Sequence, residues 1–193
     1  MPWEKQFDVD VALQKAGEIF WSHGYEATSV RDLLSAMGIQ KGSFYDTYGS
    51  KKEAYLRALD QYMDARFSQF RESVEQQGPK RSLEMHLNEI FAECVGAEGH
   101  RGCMVINCAL ELAHSDEDAR IAVQKAFKIH ENFLLERIEA AQEAGEVAAE
   151  IDAPATAKAI LAMVMGMRVY SRAGASRATL RTLTDQALAL LIP

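Results

Sequence analysis

Apolar residues recur every three or four positions along most of the chain, and the polar residues between them include the caps and glycines that begin and end helices. Val9, Leu13, Ala16 and Phe20 form the first stripe, opened by Asp8 and closed by Gly24. Ser29 and Asp32 have capping-box spacing ahead of Leu33, Leu34 and Met37, so a second helix is predicted from about Val30 to a left-handed turn at Gly38. Gln40 to Tyr48 form a third helix, which buries Phe44 and Tyr48 and turns Lys41, Ser43, Tyr45, Asp46 and Thr47 outward. Ser50 and Glu53 open a fourth, carrying Tyr55, Leu56, Leu59, Met63, Phe67 and Phe70 to about Val74.

The same periods continue beyond Gln77-Gly78-Pro79. A helix is predicted from near Ser82, with Leu83, Leu87, Ile90, Phe91 and Cys94 inward, followed by a glycine-bearing loop to Gly102. Cys103 to Leu112 read as a short helix. Ser115, ahead of Asp116, Glu117 and Asp118, caps a long one that ends near Gly145. Asp152 before Ala153-Pro154 starts a helix running to about Tyr170, and Leu180, Leu183, Leu188 and Leu191 line a last one after a turn at Gly174. No alternating pattern of useful length interrupts this series, so the fold class is all-α.

Two short helices joined by a glycine turn, the second with a polar and aromatic outer face, make the layout of a DNA-reading helix-turn-helix. The residues that carry it are Ala16, Phe20, the run from Gly24 to Val30, Gly38-Ile39, Lys41-Gly42-Ser43-Phe44-Tyr45, Tyr48 and Ser50-Lys51. In these the chain resembles the TetR (AcrR-type) family of bacterial transcriptional regulators over about its first 55 residues. Two positions depart from that family's pattern: Gln40 stands where serine or threonine commonly caps the reading helix, and Asp46-Thr47 replace a more usual histidine pair.

The expected domains are a three-helix DNA-binding domain at residues 1–50 and a helical ligand-binding and dimerisation domain at 51–193. Lys41, Ser43, Tyr45, Asp46 and Thr47, with Gly42 among them, are expected to meet bases or adjacent backbone. Thr28, Ser29, Arg31, Tyr48, Lys51 and Lys52 are expected mainly to hold phosphates. The resemblance further implies a homodimer paired through the last two helices on palindromic operator DNA, and small residues such as Ala157, Ala162 and Gly166 permit the close approach this needs.

Composition changes this picture in one respect. The 193 residues are 48% hydrophobic and 25% charged, enough for one or two cored domains, but the net charge of −7 opposes indiscriminate nucleic-acid binding. From Gln40 to Lys52, however, Lys41, Lys51 and Lys52 outnumber Asp46, so the proposed face is locally positive. No apolar run is long enough for a membrane span, no leader pattern opens the chain, and three scattered cysteines suit a reducing cytoplasm.

A switchable regulator also needs a second site. Phe91, Met104, Phe127, Met163 and Met167, with Phe133 and Met165 beside them, are candidate lining for an adaptable apolar effector pocket, and Asn107, Glu111 and His130 are its polar anchors. Cys103, at a helix start beside His100 and Arg101, is a candidate thiol sensor, as in a branch of the family that responds to electrophiles or oxidants. No cofactor is expected. Nor is a metal site, because Cys103 and Cys108 are five apart and no CxxC or HxxxH cluster joins His86, Cys94, His100 or His114. The rival classes are a thiol-dependent enzyme pairing Cys103 with His100 or His130, and an interaction protein without DNA affinity.

Overall fold

The computed structural model of the protein describes residues 7–74 and 77–192, apart from the side chains of residues 69–73; Phe70 lies outside the described side chains. Among the described residues the regular elements are helices: α1 (Val9–His23), α2 (Val30–Met37), α3 (Lys41–Tyr48), α4 (Lys51–Val74), α5 (Pro79–Val95), α6 (Met104–Glu111), α7 (Glu117–Glu143), α8 (Ala153–Arg172) and α9 (Arg177–Ala189). A short 3-10 turn, Gly99–Arg101, precedes α6.

Local chemistry sets most boundaries. Asp8 accepts hydrogen bonds from Asp10 N and Val11 N at the start of α1, and Asp152 accepts from Ala155 N at the start of α8. Two starts differ from expectation. Helix α5 begins at Pro79 rather than near Ser82, because proline has no amide hydrogen to satisfy in a first turn; the Ser82 hydroxyl instead donates within the chain, to Gly78 O at 3.0 Å or Val74 O at 3.2 Å. At α7 the capping acceptor is Asp116, taking Ala119 N at 3.0 Å, while Ser115 turns back to donate to Leu112 O.

The chain packs as two compact units: residues up to Arg66 with Asn107–Val123, and Phe67–Ile106 with the residues from Gln124 onward. In the first, α1 packs on α2, and Phe20 meets Tyr55 edge-on, with ring centroids 5.0 Å apart. The core of the second is built from α5, α7, α8 and α9, with Leu83, Leu87, Leu134, Ile138, Ile160 and Met167 at its centre. Ser171 of α8 ties the 3-10 turn to α5, its hydroxyl lying 2.7 Å from Cys94 O and 2.9 Å from Gly99 O.

Candidate nucleic-acid interface

Helix α2 is short, so its ends matter. Ser29 accepts from Asp32 N and the Asp32 carboxylate accepts from Ser29 N at 2.9 Å, a reciprocal box that satisfies two end donors. The Ser29 hydroxyl, which donates to the Asp32 carboxylate at 2.6 Å, and then the Ser29 amide hold the Asp32 carboxyl below its ordinary range. Gly38 ends α2 at φ 70° and ψ 32°, a left-handed turn that an L side chain adopts only with strain. The chain then enters α3 with Gln40 extended and making no side-chain cap bond, which leaves the first-turn amides of α3 for water or an anion.

Helix α3 is sharply two-faced. Phe44 and Tyr48 are both 0% exposed and lie 5.5 Å apart by ring centroid. On the other side Tyr45 is 42% exposed, its ring set edge-on to Phe44, and Lys41, Gly42 and Asp46 are exposed as well. Ser43 and Thr47 are half-buried at the margins, and the Thr47 carbonyl accepts from Arg57 Nη1 at 3.0 Å. Six of the expected contact positions are thus exposed near one another in the chain, Ser29, Arg31, Lys41, Gly42, Tyr45 and Asp46, while Ser43, Thr47 and Lys51 are half-buried.

Three expected phosphate contacts have partners within the protein. Thr28 is buried, and its hydroxyl donates to Gly24 O at 2.7 Å. Tyr48 is buried too, and its phenol donates to Val9 O at 2.9 Å, so it anchors α3 to α1 and has no surface to offer. Lys52 is ion-paired with Asp116 and Asp118, each at 2.9 Å, and those two hydrogen bonds raise its pKa. The positive count read along the chain therefore overstates the free charge by one lysine. Lys51 has a different neighbour: its ammonium lies 4.3 Å from the centre of the Tyr25 ring.

Residues 12–58 match the bacterial regulatory proteins of the tetR family, and residues 81–187 match the tetracyclin repressor-like C-terminal domain. The chain belongs to the TetR family. It is similar to the repressor ComR of Escherichia coli K12, at 30% identity over 190 residues covering 96% of this chain and 90% of that one. An uncharacterised helix-turn-helix regulator of Bacillus subtilis 168, YezE, is 36% identical over 134 residues, covering 67% of this chain and 68% of its own. Among solved structures, a cysteine mutant of the TetR-family regulator CifR with 26-bp operator DNA matches at TM-score 0.85 and 28% identity, covering 96% of this chain and 97% of that one. The protein is a helix-turn-helix transcriptional regulator.

The expected effector residues of this TetR-family chain scatter more widely. Asn107 and Glu111 fall in the first unit, where the Glu111 carboxylate accepts from Tyr25 N at 2.6 Å. That bond ties the Glu111 carboxylate to the backbone of the first unit. In the second unit Phe91 is buried beneath guanidinium groups of α9, with Arg181 3.8 Å and Arg177 5.1 Å from its ring centre. Met104 and Met167 are buried, and the Thr184 hydroxyl, which donates to Leu180 O at 2.9 Å, lies 3.8 Å from Met167 Sδ. Phe127, Phe133, Met163 and Met165 are partly buried against the core.

His130 is the exception, because it gathers a cluster. Its Nε2 lies 2.6 Å from Nε2 of His86, so one imidazole donates and the other accepts. Phe67 stands edge-on to His130 at 6.2 Å and Phe133 to His86 at 5.3 Å. Burial lowers the His130 pKa to about 4, with the Arg168 charge adding to the effect. Burial likewise depresses His86, helped by His130 and Arg168. Arg168 itself is ion-paired with Glu93. His86, a metal-ligand candidate in the sequence, is placed by its spacing from Leu83, Leu87 and Ile90 on the inward stripe of α5. Among the described residues no group of three or more His, Cys, Asp or Glu is arranged to hold a metal ion.

The cysteines divide by environment. Burial raises the Cys94 thiol and pushes the Cys108 thiol up to about 11. Cys103 is half-buried and immediately precedes α6. Of its two expected basic neighbours, Arg101 is paired with Glu98 at 2.6 Å, and His100 Nδ1 lies 2.8 Å from Ala97 O. Among the described residues no helix is long and apolar enough to cross a membrane.

Proposed function

We propose that this protein is a cytoplasmic, homodimeric repressor that occupies a palindromic operator and leaves it when a small apolar or reactive molecule binds its C-terminal half. The observation that carries the reading is the division of α3, with Phe44 and Tyr48 inside and Lys41, Tyr45 and Asp46 outside on one eight-residue rod. Such a rod presents donors and a ring to the major groove while its inner face holds it rigid. Arg31, Lys51 and the uncapped amides of α3 hold phosphates. The likeness to CifR, solved with operator DNA, and to ComR, named as a repressor, supports the same role.

Pairing through α8 and α9 is supported by what α8 leaves outside: Val169 at 44% and Tyr170 at 52% exposure, on a helix whose surface also carries Ala159 and Ala162. A second copy covering that strip brings two reading heads to two half-sites. Family membership favours this regulator over the thiol-enzyme alternative.

A mobility-shift titration on the DNA upstream of the protein's own coding sequence, against random duplex, tests the reading. Lys51→Ala weakens binding similarly on both and lowers the salt slope by about 1, whereas Lys41→Ala costs about 1 to 3 kcal/mol on the operator and relaxes base preference. Equal losses on operator and random DNA for both substitutions contradict the assignment.

Within the same reading, Cys103 is the reactive position, because the thiols of Cys94 and Cys108 are raised by burial and Cys103 is not closed off. Iodoacetamide labels Cys103 ahead of the other two in the native protein, and Cys103→Ser abolishes release from DNA by an electrophile. Labelling no faster than a model thiol, with an unchanged response in Cys103→Ser, removes Cys103 as a sensor.

A further inference from the structure

Three carboxylates from the end of α6 and the start of α7 close on the reading head. Glu111 accepts from Tyr25 N at 2.6 Å and also packs over Gly24: a Cβ added there would lie 2.6 Å from Glu111 Oε1, at a backbone φ of 86°. Asp116 and Asp118 together hold the Lys52 ammonium at 2.9 Å. Tyr25, whose amide Glu111 grips, carries the Lys51 ammonium over its ring. Both lysines of the first turn of α4 are therefore set by one segment, Lys52 directly and Lys51 through Tyr25.

We propose that Asp116 and Asp118 act as positioning residues that stand in for DNA phosphate, withholding the Lys52 charge from the duplex and so setting the electrostatic part of this regulator's DNA affinity. The chemistry is a competition. A lysine ammonium is a compact point charge with three donors, and a carboxylate pair offers it the oxygen ligands that a phosphate diester would. Lys52 sits one residue from Lys51, in the first turn of α4, so its release adds one phosphate partner to the same neighbourhood. The pair is partly open to water, with side-chain exposure of 35% for Lys52, 19% for Asp116 and 64% for Asp118, which keeps the lysine exchangeable between the two kinds of anion.

The inference rests on the DNA-binding reading, and the test separates the two. The Asp116→Asn/Asp118→Asn double variant keeps an acceptor for Ala119 N, so the start of α7 is retained, and a thermal melt confirms the fold. On a mixed-sequence duplex, the variant's plot of log affinity against log salt steepens by about 0.9, so its advantage over wild type changes about three-fold across a four-fold change in salt. Without DNA, acetylation of Lys52 by a small anhydride, read by mass spectrometry, becomes several-fold faster in the variant. In a Lys52→Met background the two asparagines leave the slope unaltered.

A slope increase that persists in the Lys52→Met background traces the effect to long-range charge and overturns the proposal, as does unchanged acetylation of Lys52 in the double variant. Wild-type protein that retains no duplex at any salt overturns the DNA-binding reading itself, while the acetylation comparison still reports on the clasp.

Discussion

Phe44→Ala lowers the unfolding free energy of the protein by about 3 to 5 kcal/mol, while Tyr45→Ala, one residue along, leaves it within about 0.5 kcal/mol. The contrast follows from the two faces of α3. Phe44 is 0% exposed and meets Tyr45 at 5.3 Å and Tyr48 at 5.5 Å, so truncation removes a whole buried ring and leaves a void among neighbours held by other bonds. Tyr48 cannot swing in to fill it without losing its hydrogen bond to Val9 O. Tyr45, by contrast, is 42% exposed, and its loss is felt on DNA as about 1 to 3 kcal/mol of base discrimination. Urea unfolding followed by far-UV dichroism, paired with an operator titration of each variant, measures both. A Phe44→Ala protein as stable as wild type contradicts the buried face on which the reading head depends.

Stability falls by about 2 kcal/mol through His130 alone as pH drops from 6.5 to 5, above the range in which most carboxylates titrate. His86 and His130 are neutral in the fold, and burial lowers His130 to about 4 from an ordinary value of 6.5. Between those limits the unfolded chain binds a proton that the folded chain refuses, so acid favours unfolding; above about pH 7.5 both states are neutral and the dependence ends. His86 shifts the same way and adds to the loss. The carboxyls held below their ordinary range, Asp32, Glu98, Asp116 and Glu131, have the same sign but act at lower pH, as acid approaches ordinary carboxyl values.

The control is His86→Leu/His130→Leu, which removes both partners together and leaves no orphaned ring nitrogen. It flattens the profile between pH 6.5 and 5, whereas His130→Leu alone strands the His86 Nε2 and destabilises by about 1 to 3 kcal/mol at neutral pH. Chemical denaturation at half-unit pH steps reads this. A wild-type profile that is flat from 6.5 to 5 means the pair is not held neutral inside.

Helix identity was legible wherever the deciding groups lie within a turn of one another. Asp8, Ser29 and Asp152 cap helices because their oxygens reach amides two or three residues ahead, and Gly38 turns because its own backbone conformation demands it. Where two local signals competed, residues within one turn changed places: Pro79 displaced Ser82 as the start of α5, and Asp116 displaced Ser115 as the cap of α7. The inner and outer faces of α3 were legible for the same reason, since residues four apart share a face and Phe44 and Tyr48 are the bulky pair.

Four side chains that looked available from their neighbours in the chain were committed to partners at another position: Thr28 to the Gly24 carbonyl, Tyr48 to Val9, Lys52 to Asp116 and Asp118, and Glu111 to Tyr25. Only the first of these partners lies within a turn. The pairing of His130 with His86, 44 positions away, was equally invisible, though each occupied a recognisable helical stripe. Periodicity, caps and glycines thus determined an all-helical TetR-family chain with a two-faced reading helix, because those signals act through the backbone over one or two turns. Tertiary packing alone decided which lysine is paired with carboxylates, which carboxylate holds Tyr25 N and which histidines stay neutral, because charge and proton affinity depend on what lies nearby in space.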